Sequence, residues 1–301
     1  MSAVYGTPLD EAPLAEWDAR EQMCEIGRRL WERQYVEANG GNLTYRLSDG
    51  RILATPTMIG KGFMKPEDMV VLDLEGRQLQ GRRRKTSEIL VHLQILRGRS
   101  DVRAVIHCHP PHATAFAITG RAVPKCIHPE QEVFLGEVPI TPYETPGTQK
   151  VADTLTPYLR DFNVFLLASH GAVAAGRGLL DAYWKIEIIE SYCRLIILSR
   201  ALGEPTVLSQ QHMAELLQIK KNLGIPDRRL QDAAAASCAA PAPAPENAFG
   251  GRRPGPPASE GQPEAAEFAS SPAEEAELVR RVTEAVLRRL KTSAGSLKGG
   301  R

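Results

Sequence analysis

Four residues of types suited to shared chemistry stand out: His107, His109, His170 and Glu88. His107 and His109 close the apolar run Ala104-Val105-Ile106, which reads as a buried strand whose period of two puts both imidazoles on one face. His170 ends a second apolar run, 164–168, and Gly171 behind it lets the backbone turn sharply. Glu88, in Thr86-Ser87-Glu88, opens a helical pattern. Three neutral imidazoles suit zinc and leave a fourth position for carboxylate, water or substrate, the arrangement of a catalytic rather than a structural site. Each residue also has a plainer reading, since alternating histidines hydrogen-bond inside cores and a first-turn carboxylate is favoured by the helix dipole.

The elements that must position these groups alternate along the chain. An amphipathic helix is predicted over 14–36, with short strands over 43–47, 51–54 and 70–74. A helix over 86–97, a strand over 104–108 and a helix over 111–118 follow, then a strand over 138–141, a helix over 148–159, a strand over 164–168 and a long helix over 179–202. This pattern predicts the α/β class, a three-layer α/β/α domain, and leaves the strand order open. Gly40-Gly41-Asn42 reads either as the stop of the first helix or as a turn for close backbone approach. Thr86 and Ser87 read either as helix caps or, with amides at a helix start, as an anion site beside Glu88. His92 and His112 read as polar scaffold, and alternation turns Cys108 away from the ligand face. The run Arg82-Arg83-Arg84-Lys85 reads as a solvated basic loop.

Five segments recur in a fixed order: Gly40-Gly41-Asn42, Thr55-Pro56-Thr57, Thr86-Ser87-Glu88, His107-Cys108-His109-Pro110 and Ser169-His170-Gly171. Together they resemble the class II aldolase/adducin family over about residues 15–210, nearest to its L-fuculose-phosphate aldolase branch. The resemblance implies a central, mostly antiparallel sheet and a homotetramer. It implies zinc held by His107, His109 and His170, with Glu88 capping the metal at rest and later moving a proton. Gly41, Asn42, Thr57, Thr86 and Ser87 would cradle a substrate phosphate. The implied reaction is retro-aldol cleavage of a ketose 1-phosphate, L-fuculose 1-phosphate or L-rhamnulose 1-phosphate, to dihydroxyacetone phosphate and lactaldehyde. A metal-dependent epimerase, dehydratase or decarboxylase on a related sugar phosphate is the alternative, and the full ligand set weighs against a non-enzymatic adducin-like module.

Two positions depart from the aldolase pattern. Met58 follows Thr57 where that pattern has glycine. The stretch that would supply a tyrosine acid across a subunit interface reads Cys126-Ile127-His128-Pro129, so His128 and Tyr143 are the candidate acids.

With 43% hydrophobic residues in 301, the chain can bury one sizeable core, and a net charge of +1 argues against a nucleic-acid surface. Five cysteines without paired spacing predict thiols and a cytoplasmic protein, and no apolar run suits a signal peptide or a membrane span. The predicted organisation is a catalytic domain over 1–228, a Pro/Ala-rich disordered linker over 229–270 and an amphipathic helix with its tail over 271–301. Ser271-Pro272-Ala273-Glu274 has the chemistry of a helix start, and Leu278, Val282, Val286 and Leu290 share one face. This tail resembles a bacterial microcompartment encapsulation peptide, which implies a shell protein as partner; a membrane surface, another protein and the helix's own tetramer are the alternative partners for its apolar face.

Overall fold

The structure, a computed structural model, describes residues 12–231 and Cys238; the expected amphipathic helix after 271 lies outside them. Helix α1 (Glu16–Glu32) carries acids in its first turn and buries Ala19, Met23, Ile26 and Leu30 along one stripe. It ends earlier than the apolar pattern predicts, because Gln34 turns left-handed at φ 61° while Tyr35 and Val36 stay buried beyond it.

Eight strands follow: β1 (Asn42–Arg46), β2 (Ile52–Ala54), β3 (Val70–Leu72), β4 (Gln78–Gln80), β5 (Ala104–Cys108), β6 (Ile140–Thr141), β7 (Val164–Leu167) and β8 (Gly171–Gly176). They form one sheet in the order β4-β3-β2-β1-β5-β8-β7-β6. Every pairing is antiparallel except β6 with β7. The interleaved helices are α2 (Ile89–Gly98), α3 (Pro111–Thr119), α4 (Gln149–Asp153), α5 (Leu179–Ser199) and α6 (Gln210–Asn222).

Strand alternation divides the core in two. Ala104, Ile106 and Cys108 of β5 pack with residues of α1, α3 and α5 on one face, while Val105 packs with residues of α2 and α4 on the other. The α/β/α layering therefore holds, and Cys108 points away from the face that carries His107. Strand β8, built from small residues, and the exposed β4 carry too little apolar pattern to be read from sequence. The helix expected over 148–159 breaks into α4 and a 3-10 turn, Thr156–Tyr158, because Pro157 has no N–H to continue it.

The body continues past the boundary expected at 228. Arg229 is buried and pairs with Glu132 and with Asp227, whose carboxylate also meets Lys220 at 2.7 Å. The expectation that all five cysteines are thiols is corrected: Cys126 and Cys238 form a disulfide, with Cα atoms 5.7 Å apart across 112 residues of sequence. Cys24, Cys108 and Cys193 are free. Spacing along the chain could not reveal a bridge that long.

Candidate metal centre

His107 lies in β5 and His109 just beyond its end, two residues on, so both rings emerge on the α2 face. His170 does not end a strand as expected. It sits in the turn between β7 and β8, after Ser169 at φ 55°, and antiparallel pairing of β8 with β5 brings it beside His107. A Cβ on the next residue, Gly171, would lie 2.6 Å from the Cys108 carbonyl oxygen, so only glycine lets this turn close on β5.

One ligand atom from each imidazole falls within 4.8 Å of the other two. The His107 and His109 Nε2 atoms are 3.2 Å apart. Glu88 reaches between the rings, with Oε1 3.2 Å from His170 Nε2 and Oε2 3.4 Å from His107 Nε2. Ligands of a tetrahedral zinc at about 2.0–2.1 Å stand about 3.3–3.4 Å from one another, so these separations are those of a metal-ligand cage. The outer nitrogens agree. His107 Nδ1 donates to the Ala172 carbonyl at 3.0 Å and His109 Nδ1 to the Glu37 carboxylate at 2.7 Å, which leaves each Nε2 with its lone pair facing inward. Burial holds His107 well below the usual imidazole pKa, helped by the neighbouring His170 and His109, and burial also lowers His170. Neutral imidazoles are the form that ligates. The donor set and its orientation thus fit a divalent cation.

Glu88 is the N-terminal cap residue of α2, and the Asn42 side-chain amide donates to its Oε2 at 2.8 Å. Asn42 Oδ1 in turn bonds His92 Nε2, and His92 Nδ1 meets the Thr44 hydroxyl at 2.9 Å. His92 is fully buried, and desolvation brings its pKa down to about 4. It braces the carboxylate through Asn42, a scaffold role that matches its reading from sequence. Exposure of the side chains grades from 2% at His107 to 19% at His109, so the centre opens on its His109 side.

The segments expected to bind phosphate meet beside Glu88. An isolated bridge joins Pro56 and Lys85, Thr57 N donates to Arg84 O at 3.0 Å, and Thr86 N donates to Thr55 O at 3.2 Å. Gly41 is left-handed at φ 71°, and a Cβ there would lie 2.5 Å from Val36 Cγ1. Met58 stands where the aldolase pattern has glycine, yet holds φ 57°, so the turn survives at a conformational cost of order 1–3 kcal/mol. The Asn42 side chain is committed to Glu88 and His92. Ser87 is exposed, and Thr86 is buried with its hydroxyl accepting from Glu88 N at 3.4 Å.

Neither candidate acid joins the cage within this chain. His128 Nδ1 lies 3.2 Å from the Glu130 carboxylate and its ring 5.9 Å from that of Tyr192, while Tyr143 is 40% exposed in the loop following β6. His112 donates to Glu190 at 2.7 Å and is structural. Sequence reasoning missed Glu37, the outer partner of His109, and Lys61, which is buried beneath the 57–60 turn. Neither carries a local signal, because each matters only through contacts made by folding.

Residues 21–197 match the Class II Aldolase and Adducin N-terminal domain. The chain is 34% identical over 180 residues to an L-fuculose phosphate aldolase of Methanocaldococcus jannaschii, covering 60% of this chain and 96% of the relative. It is also 34% identical over 180 residues to a 3-oxo-tetronate 4-phosphate decarboxylase of Haemophilus influenzae, covering 58% and 85% respectively. A solved L-fuculose 1-phosphate aldolase superposes with a TM-score of 0.64 at 28% identity, over 69% of this chain and 98% of that one.

Proposed function

Because the chain belongs to the class II aldolase and adducin family, we propose that it is a zinc-dependent lyase that cleaves a ketose 1-phosphate, L-fuculose 1-phosphate or L-rhamnulose 1-phosphate, to dihydroxyacetone phosphate and lactaldehyde. The observation that carries this reading is the carboxylate of Glu88 set between His107 and His170, with three imidazole nitrogens turned inward. A divalent cation bound there would supply Lewis-acid stabilisation of the negative charge that develops as the carbon bond breaks. His107, His109 and His170 would hold it. Glu88 keeps one oxygen on the Asn42 amide, and the other is placed to take a proton and return it at the reacting carbon. Gly41, Asn42, Thr57, Thr86 and Ser87 frame the phosphate, where helix-start amides and hydroxyls favour an anion.

A second reading, decarboxylation of a related sugar acid phosphate, is supported by the equal identity to the decarboxylase and by His128 standing where the aldolase acid would be tyrosine. One assay separates the two. Zinc-loaded protein is incubated with a panel of ketose 1-phosphates and 3-oxo sugar acid phosphates, and the carbon products are identified. Dihydroxyacetone phosphate with an aldehyde supports the aldolase; release of carbon dioxide without carbon–carbon cleavage of any ketose phosphate overturns it.

The homotetramer and the encapsulating role of the tail are part of the same proposal, supported by the family and by the sequence of residues 271–301. No helix among the described residues is long and apolar enough to cross a membrane.

A further inference from the structure

Lys61 is a buried cation that the reaction so far does not use. The residue is 1% exposed, and its ammonium donates to the Asn39 carbonyl at 2.9 Å and the Ile59 carbonyl at 2.7 Å. An ammonium has three donors, so one remains. No carboxylate among the described residues forms an ion pair with it, although the charge of Glu88 is felt there. Burying a charge without a contacting counter-ion is costly, so such a group persists where it holds something in place or meets an anion. The two carbonyls it grips belong to turns with left-handed residues, Ala38 at φ 43° and Gly41 at φ 71° on one side and Met58 at φ 57° on the other. These are the turns assigned above to the substrate phosphate. The Lys61 backbone is fixed as well, since a Cβ on Gly27 of α1 would lie 2.5 Å from its carbonyl oxygen.

We propose that Lys61 is the positioning cation of the phosphate site: its ammonium clamps the 38–41 and 57–60 turns together from beneath and lends its positive charge to the bound phosphate, so that it sets the preference for phosphorylated over unphosphorylated ketoses. Desolvation lowers its pKa to about 8, with the nearby Glu88 opposing that shift, so it is mostly charged at neutral pH. The inference rests on the phosphate reading of Gly41, Thr57, Thr86 and Ser87, and the test separates the two.

Inorganic phosphate is titrated calorimetrically into the zinc-loaded full-length protein, its Lys61→Met and Lys61→Gln variants, and Ser87→Ala, with zinc content and thermal midpoint recorded for each. Loss of a charge-assisted interaction weakens phosphate binding by about 10–100-fold in both Lys61 variants, with zinc content unchanged. The glutamine variant keeps a donor without the charge, so weakening there is an effect of charge that a merely structural lysine would not show. If Ser87→Ala weakens phosphate binding while both folded Lys61 variants bind as wild type, the role of Lys61 is wrong and the phosphate reading stands. If the wild-type protein binds no phosphate, both fall.

Discussion

Glu88 is the residue at which binding and chemistry can be told apart. Its carboxylate stands against His107 and His170 while Asn42 holds one oxygen, so Glu88→Gln keeps the shape and removes the base. Turnover is expected to fall on the order of 10²–10⁴-fold, while three imidazoles retain most of the metal. Metal analysis beside steady-state kinetics checks this, and a variant that turns over normally removes Glu88 from proton transfer. His92 gives a pH signature at the same scale. Its folded pKa of about 4 lies below the ordinary value of 6.5, so between those values the unfolded chain binds a proton that the native state refuses. Stability therefore rises with pH through that window, is complete above about 6.5 and declines as pH falls toward 4, by at most about 3 kcal/mol from this group. Urea unfolding of metal-free wild type and His92→Gln across pH 4–7 is expected to show a shallower slope for the variant. Equal slopes would place the proton elsewhere.

At the scale of elements, α6, the last helix among the described residues, buries Met213 and Leu217 and is tied to the body by charge as well. Arg229 meets Glu132 at the turn Gln131–Leu135, and Asp227 and Lys220 complete the buried group. Burial opposes charge on both Asp227 and Lys220, yet their mutual contact and that with Arg229 hold Asp227 at a pKa of about 2. Arg229→Met would leave Glu132, whose side chain is 0% exposed, without its cation. The expected cost is about 3–5 kcal/mol, read as a lowered urea midpoint. A change within about 1 kcal/mol would show that the backbone N–H of Cys126, which also donates to Glu132, satisfies the carboxylate alone.

For the whole molecule, the ion cluster and the Cys126–Cys238 bridge decide where the tail can be removed. A truncation after residue 238 keeps Arg229 and the bridge, and is expected to leave the protein folded and as active as the full chain on soluble substrate. The proposed encapsulating role of the sequence carrying Leu278, Val282, Val286 and Leu290 is tested separately. Residues 265–301 fused to a fluorescent reporter are expected to carry it into microcompartments when shell proteins are co-expressed, and Val282→Glu with Val286→Glu to leave it diffuse. A diffuse reporter with the intact tail, or localisation that survives the double change, would count against encapsulation.

What the sequence determined by itself is local. Apolar runs at 104–106 and 164–167 have the period and β-branched content of buried strands, alternation placed His107 opposite Cys108, and Glu88 opened a helix. The motifs Thr-Ser-Glu, His-x-His and Ser-His-Gly likewise made the cluster of three histidines beside Glu88 legible, because metal ligation would demand particular residue types. Tertiary structure decided which of these segments meet. The placement of β1 and β8 on either side of β5 sets Asn42 and His170 beside His107, and that order depends on long-range pairing that no local period encodes. It also turned His170 into a hairpin residue, gave His109 its Glu37 partner, joined Cys126 to Cys238 and buried Lys61 under two left-handed turns. A lysine, a glutamate or a cysteine carries no pattern along the chain that announces a partner tens of residues away; burial and proximity supply its role only once the sheet has closed.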